Sequence, residues 1–422
     1  MTREYKDSGI EWIGRIPREW KACRFKYAGS FEKGKLPAEQ NIEQKGLPII
    51  GASEMLGKEP RLFTLDNVVP ICKKEDILIL WDGANAGIVA NGCAGVVSST
   101  TVKYDCNDSQ YNKQFVFYLL KYYENYFRSK VGGTTIPHMN QQYINDCICL
   151  LPSLFEQQRI AEYLDEKCGE IEGLIALQEQ MIEKLTDYKQ SVITEAVTKG
   201  LNPDVQLVPS DIDCIGDVPK GWNKCAPLKW FTEIILGKML QSNANSPTDT
   251  LEKYICAKDV HFDGIDYSDL KSMYYSPSEK GSYQVQRGDM LVVEGGAGAA
   301  GAAIIDKDIE NTYIQNSIMI VRPKRNIDIR YARYVLFSIV SRGYVDYICN
   351  KATIPHFTKD KLSGTVIPMP SFAEQRAIAD YLDTKCSEID RLIKTKRQKI
   401  EKLKEYKKSV IYEAVTGKTI IE

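Results

Sequence analysis

The 422-residue chain has no run near the ~18 consecutive apolar residues of a membrane span, which argues against a helical membrane protein. Its first residues, MTREYKDSG, are charged where a secretory signal is apolar, so a cytoplasmic protein is expected. Histidine is scarce, with 3 residues, and the 12 Cys include one C-x-C (Cys147, Cys149) but no C-x-x-C pair. No metal-ligand spacing results, so no metal site is assigned, and the cysteines read as reduced thiols buried as small hydrophobes. An excess of one charge is missing too: 55 Lys+Arg face 56 Asp+Glu, a net charge of −1. That excludes coating nucleic acid by bulk electrostatics and leaves local basic faces open. Catalytic signatures are also absent. Gly417-Lys418-Thr419 ends like a phosphate-binding loop, but the glycine required five positions earlier is Tyr412. Gly296 to Gly301 matches a dinucleotide fingerprint, yet Ala302 to Asp306 behind it reads as a strand and not as the helix such a loop needs. There is no N-P-P-Y, D-P-P-Y, H-E-x-x-H or G-x-S-x-G, so no catalytic residue is assigned. With 43% hydrophobic and 10% aromatic residues, the chain can nonetheless bury sizeable cores in more than one domain.

What is present is a duplication. PSLFEQQRIAEYLDEKC at 152–168 returns as PSFAEQRAIADYLDTKC at 370–386 with 11 of 17 residues identical, and EKLTDYKQSVITEAVT at 183–198 returns at 401–416 with 12 of 16. T-I-P-H occurs at 135–138 and 353–356, and a lead-in motif, SGIEWIGRIPREW at 8–20, is echoed by SDIDCIGDVPKGW at 210–222. Between these pieces lie two large segments with almost no mutual identity, apart from Asp76-Ile-Leu-Ile-Leu echoed by Asp289-Met-Leu-Val-Val. A duplicated scaffold carrying two different readers has this form.

The repeated long segments read as helices. Apolar residues recur at intervals of three and four: Leu164, Cys168, Ile171, Ile175, Ile182, Leu185, Val192 and Ala196, then Leu382, Cys386, Ile389, Ile393, Ile400, Leu403, Val410 and Ala414. Ser153 and Ser371 suit N-caps with Glu156 and Glu374 three residues on, and Gly200 and Gly417 suit the C-terminal ends. A lone seam of this length would stay wet, so each helix needs a partner, and the other copy is available. Residues 153–200 hold 5 basic and 10 acidic residues while 371–418 hold 12 and 8, which favours pairing the unlike helices. Gln178, Lys189, Lys396 and Lys407 are polar positions in the seam that would fix register.

The large segments are each slightly basic, with 15 basic to 13 acidic residues in 21–151 and 18 to 16 in 223–369. Asp76 to Trp81 and Asp289 to Val293 read as strands, and Tyr111 to Arg128 and Arg330 to Tyr347 as aromatic-rich helices with an apolar core face and a solvated basic face. The loops Asp82 to Gly87 and Gly296 to Gly301 read as strand connections, and His138 and His356 as structural residues beside a turn.

The repeated P-S-x-x-E-Q-x-x-I-A-x-Y-L-D motif, the T-I-P-H pieces, the lead-in motifs and the E-A-V-T helix ends together resemble the specificity subunits of type I restriction-modification systems, over essentially the whole chain. The resemblance implies an α+β fold with an internal pseudo-twofold repeat: a target-recognition domain at 1–151, a helix at 152–200, a linker and second recognition domain at 201–369, and a second helix at 370–422. It further implies that the helices pair as an antiparallel coiled coil, with Leu164, Ile171, Ile175, Ile182, Leu185, Leu382, Ile389, Ile393, Ile400 and Leu403 in its seam. Each recognition domain would read one half of a bipartite target in double-stranded DNA, with the coiled coil setting the spacing. Two methyltransferase subunits carrying S-adenosylmethionine, and restriction subunits using ATP and Mg, would be its partners, with no catalysis and no cofactor on this chain and no membrane. Polar residues in the expected loops are the candidate DNA contacts: Lys33, Lys35, Asn85, Ser99 and Thr100 in the first domain, Lys238, Lys258, Gln315 and Asn316 in the second. A stand-alone two-headed DNA-binding protein and a coiled-coil protein adaptor remain open as alternatives.

Overall fold

The structure is a computed structural model that describes residues 3–10, 13–107, 109–132, 137–210, 212–296, 298–349 and 356–421. Glu11 and Trp12, Thr135 and Ile136, Asp211, Ala297, and Thr353 to Pro355, all in motifs named above, lie outside the described residues. Internal contacts divide the chain into two units, Met1–Glu179 with Arg397–Glu422, and Gln180–Lys396. Each therefore holds one large segment and half of each long helix.

The first unit opens with a hairpin of Tyr5–Asp7 against Arg15–Pro17, after which Lys21–Arg24 pairs antiparallel with Ile148–Leu151. Its main sheet is antiparallel, in the order Gly29–Lys33, Thr101–Cys106, Ile77–Leu80, Val89–Ala90. A second sheet runs Phe63–Thr64, Leu47–Ile50, Gly95–Val97, Ile71–Cys72, its two middle strands parallel. Ile77–Leu80 is buried at all four positions because both faces are covered. Ile77 and Ile79 point into the core under the helix Lys113–Lys130, whereas Leu78 and Leu80 point into a smaller core with Ile50, Met55 and Val97. The helix is capped by the Asn112 side chain, which accepts from Phe115 N at 3.0 Å, and buries Phe115, Leu119, Tyr123 and Phe127 along one stripe.

The second unit repeats this plan. Leu207–Pro209 pairs with Asp217–Pro219, Asn223–Pro227 with Val366–Met369, and the main sheet runs Thr232–Leu236, Ile318–Pro323, Met290–Val293, Ala302–Ile304. Beside it lie Lys271–Tyr275, Thr250–Ile255 and Thr312–Ile314, the last two parallel. Met290–Val293 is again wholly buried, with Met290 and Val292 in one core and Leu291 and Val293 in another. The expected helix Arg330 to Tyr347 is in fact two, Ile329–Ser341 and Tyr344–Ile348, because Gly343 adopts φ +83° and breaks the ladder.

The long helices run Leu154–Lys199 and Phe372–Val415. Ser153 Oγ accepts from Glu156 N at 3.3 Å and Ser371 Oγ from Glu374 N at 3.2 Å, so both caps form as expected. The two glutamate side chains do not complete a capping box. Trp20 Nε1 donates to Glu156 Oε2 and Trp222 Nε1 to Glu374 Oε1, each at 2.9 Å, tying each lead-in motif to a helix start. At the other ends Gly200 (φ +75°) and Gly417 (φ +69°) turn the chain left-handed. Gly417 also lies against Pro17 and Trp20, where an added Cβ would come within 2.6 Å of the proline ring.

Within the first unit the start of the first helix packs antiparallel on the end of the second: Ile160, Leu164, Cys168 and Ile171 share a core with Val410, Ile411 and Ala414. Within the second unit Ile193, Ala196 and Val197 share one with Ile378, Leu382 and Cys386. Ile389, Ile393 and Ile400 are buried, Ile175, Ile182, Leu185 and Leu403 half-buried. The register is pinned by ion pairs at matched places in the repeat, Glu172 with Lys407 in one unit and Lys189 with Asp390, 2.7 Å, in the other. Each uses an acid from one copy and the repeated lysine from the other. Gln178, 4% exposed, is a buried polar position in the seam.

Candidate functional site

In each unit the two sheets meet at a junction built from the same backbone contacts. The chain leaving Gly29–Lys33 passes through Gly34, whose amide donates to Thr101 O at 3.0 Å, and Lys35, whose amide donates to Val97 O at 3.2 Å. In the second unit Gly237 N donates to Ile318 O at 3.0 Å and Lys238 N to Ile314 O at 3.3 Å. A Cβ on Gly34 would lie 2.1 Å from Ser98 O, and one on Gly237 2.3 Å from Gln315 O, so only glycine fits at either crossing. Ser98 N then donates to Ile50 O and Gln315 N to Ile255 O, both at 3.1 Å, while Trp81 N donates to Thr100 O and Glu294 N to Ser317 O, both at 2.8 Å. Finally Met139 N donates to Trp81 O at 2.8 Å and Phe357 N to Glu294 O at 2.6 Å. These last contacts set His138 beside Asp82 and His356 beside Gly295.

Different side chains stand on this common frame. In the first unit Lys33 Nζ lies 3.6 Å from the Asp82 carboxylate, which also pairs with His138 Nδ1, and the His138 ring meets Trp81 edge-on at 6.3 Å. Lys35 and Thr100 are exposed, Ser99 and Asn85 half-buried, and Ser98 Oγ lies 3.0 Å from Thr100 Oγ1. Lys33, Lys35, Ser99 and Thr100 thus come together at one junction, whereas Asn85 stands in the loop that follows Asp82. Asp82 joins them as a residue that sequence reasoning did not select.

In the second unit Gln315 and Asn316 occupy the places of Ser98 and Ser99, with Gln315 Oε1 accepting from Ser317 N at 3.1 Å and Ser317 Oγ at 2.5 Å. Lys258 stands on a short turn anchored where Ala257 N donates to Ser317 Oγ at 3.0 Å, and its ammonium meets Asp269 at 3.1 Å. Lys238 turns inward: its side chain is 10% exposed, and its ammonium is 2.5 Å from Glu279 and donates to Tyr274 O at 3.1 Å. Burial opposes ionisation of Glu279, but Lys238 and the Ser276 amide hold its carboxyl below the usual range. Gly295 stands where Asp82 does, so among the described residues no acid pairs with His356 as Asp82 pairs with His138, and the His356 carbonyl accepts from Lys361 Nζ at 2.8 Å. The recurring dipeptides Gly34-Lys35 and Gly237-Lys238 were the available sequence signal for the crossing. Among the described residues, no three His, Cys, Asp or Glu side chains converge to hold a metal ion, and no helix is long and apolar enough to cross a membrane.

Known proteins share this plan. The "Type I restriction enzyme MjaVIII specificity subunit" of Methanocaldococcus jannaschii is 27% identical over 412 residues, covering 96% of this chain and 94% of the relative. The "Type I restriction enzyme EcoBI specificity subunit" of Escherichia coli is 21% identical over 90% of this chain and 81% of its own. A chain solved under the description "Structural basis underlying complex assembly and conformational transition of the type I R-M system" superposes with TM-score 0.68 at 17% identity, covering 96% of this chain and 99% of the other. The sequence pattern described as "Type I restriction modification DNA specificity domain" matches residues 17–186 and again 231–402. In each half the sheet pair, the junction and the first part of the long helix thus fall within a copy of that domain, and the chain belongs to the type I restriction-modification DNA specificity family.

Proposed function

We propose that this chain is the DNA sequence-specificity subunit of a type I restriction-modification complex, each recognition domain reading one half of a bipartite target. One observation carries the reading: two junctions with the same backbone hydrogen bonds present different side chains, Ser98-Ser99-Thr100 in one and Gln315-Asn316-Ser317 in the other. Hydroxyls and carboxamides discriminate base edges, and a fixed frame with exchanged polar groups is how two readers come to differ. In this reading residues 1–151 and 201–369 are the recognition domains, and 152–200 and 370–422 the helices that set the spacing. Lys33, Lys35, Asn85, Ser99, Thr100, Lys258, Gln315 and Asn316 reach the duplex, while Lys238, engaged with Glu279, shapes its junction. The chain itself is non-catalytic; two methyltransferase subunits dock on it in the cytoplasm and supply S-adenosylmethionine chemistry, joined by restriction subunits.

Co-expression with its methyltransferase subunit, followed by single-molecule sequencing of methylated adenines, tests this. A two-part motif with a fixed gap is expected. A soluble, assembled complex that adds no methylation would overturn the reading.

A further inference from the structure

Cys23 stands directly opposite Cys149 where Lys21–Arg24 pairs antiparallel with Ile148–Leu151. Opposed residues send their side chains to the same face with Cβ atoms ~4.5–5.5 Å apart. A disulfide, with Cβ atoms ~3.8 Å apart, is reached from there by a small approach of the strands. The Tyr111 hydroxyl lies 3.1 Å from the Cys23 sulfur, within hydrogen-bond reach. Cys149 is fully buried and Cys23 half-buried, so Cys23 is the member of the pair that a small solute can reach. The neighbouring Cys149 thiol, and then the Tyr111 hydroxyl, hold the Cys23 thiol below the ordinary range against the opposing effect of burial, while burial pushes Cys149 well above it.

The second half of the chain is an internal comparison. Cys225 follows Trp222 as Cys23 follows Trp20, but the position matching Cys149 is Ile367 and that matching Tyr111 is Ile327, both buried. Apolar side chains fill this place in one copy, so packing alone does not require two thiols and a phenol in the other.

We infer that Cys23 and Cys149 are a modification site, forming a reversible disulfide when the protein meets hydrogen peroxide. The Cys23 thiolate attacks one peroxide oxygen, the O–O bond breaks, and hydroxide leaves to become water, with Cys23 as a sulfenic acid. The Cys149 sulfur then attacks the Cys23 sulfur, an S–S bond forms, the S–O bond breaks, and the departing hydroxyl takes the Cys149 proton as a second water. The two thiols together lose two electrons, and the peroxide gains them. The new bond joins the strand behind the lead-in motif to the strand that runs into the long helix.

The test treats reduced full-length protein with a small excess of hydrogen peroxide, then maps non-reduced peptides by mass spectrometry. One linked pair, Cys23 with Cys149, lighter by two hydrogens and released by dithiothreitol, is expected. It should form about tenfold faster than any modification of half-exposed Cys93 or Cys214, whose thiols burial pushes up. In Cys149→Ser, or Cys149→Ala if the serine does not fold, dimedone should trap Cys23 as its sulfenic acid. Absence of the Cys23–Cys149 peptide, or oxidation of Cys93 or Cys214 at an equal rate, overturns the inference.

Discussion

Replacing Gln157 by Met should weaken the first unit by about 3–4 kcal/mol and leave the second untouched. Gln157 is fully buried at the start of the first long helix. Its Oε1 accepts from Asn112 N at 2.8 Å, and its Nε2 donates to Gln110 O at 2.9 Å and Pro152 O at 3.0 Å. Methionine keeps the length and volume but leaves one donor and two acceptors unpaired. Pro152 O, in the buried pair, costs ~2 kcal/mol, and the two partly buried groups ~1 kcal/mol each, since water can reach them in part. Asn112 is also the N-cap of Lys113–Lys130, so the loss falls where the domain helix meets the long helix. At ~1.4 kcal/mol per decade, amide hydrogen-deuterium exchange in Lys113–Lys130 should accelerate by two to three decades wherever it is governed by opening of this unit. Gln375 makes the matching bonds, accepting from Asp328 N at 2.9 Å and donating to Pro370 O at 3.0 Å and Asn326 O at 3.3 Å. Gln375→Met should therefore act alike on Ile329–Ser341, and the double variant should show the sum, because no partner is shared. A loss under 1 kcal/mol, or acceleration spread equally over both units by one substitution, would refute the reasoning.

Lys407→Glu should cost about 0.5–1 kcal/mol in urea unfolding at low salt, since Glu172 is well exposed, and adding Glu172→Lys should restore most of it. Burial raises the hydroxyl pKa of Tyr104, Tyr118, Tyr123, Tyr331 and Tyr334, so stability should hold up to about pH 10 and fall above it, where unfolded tyrosines ionise first. Tyrosinate absorbance from these residues should then appear together with the loss of circular dichroism; free titration of the folded protein would contradict their burial. Lys33→Ala should lower affinity for target DNA and reduce the salt slope of binding by about one, whereas a change in the sequence recognised would make Lys33 a base contact. Deleting four residues from the 178–182 region, about one turn or ~5.4 Å, should alter the preferred half-site spacing or abolish methylation; an unchanged motif would show that the helices do not set the gap.

The helices were legible because a three-four spacing survives any environment, and the duplication exposed it twice. Helix caps followed from Ser153 and Ser371, although the destination of the Glu156 and Glu374 carboxylates, on indole groups far away in sequence, did not. The main-sheet strands Ile77–Leu80 and Met290–Val293 were visible as apolar runs, but strands of two residues such as Phe63–Thr64 and Val89–Ala90 are too short to carry a period. The likeness of the large segments was hidden because loops of different length shift the alignment: Tyr118 donates to Asp165 at 2.7 Å and Tyr334 to Asp383 at 2.8 Å, each tyrosine on a helix of diverged sequence and each acid at the same place in the repeat. The junction was legible only in its polar loop residues. Gly34 and Gly237 are held to glycine by a carbonyl across the sheet, and the inward turn of Lys238 depends on Glu279, 41 residues away. Such constraints are tertiary, and their one local trace is the recurring Gly-Lys dipeptide.

The way the chain closes on itself bears on how it is made. The second unit is a single continuous stretch, Gln180–Lys396, whereas the first is completed only by Arg397–Glu422. Leu164, Cys168 and Ile171 find Val410, Ile411 and Ala414 there, and the Tyr5 hydroxyl finds Gly417 O at 3.2 Å. On the ribosome the later half of the protein can therefore mature before the earlier half. The part synthesised first must wait, with its helix seam uncovered, for Arg397–Glu422 to leave the exit tunnel.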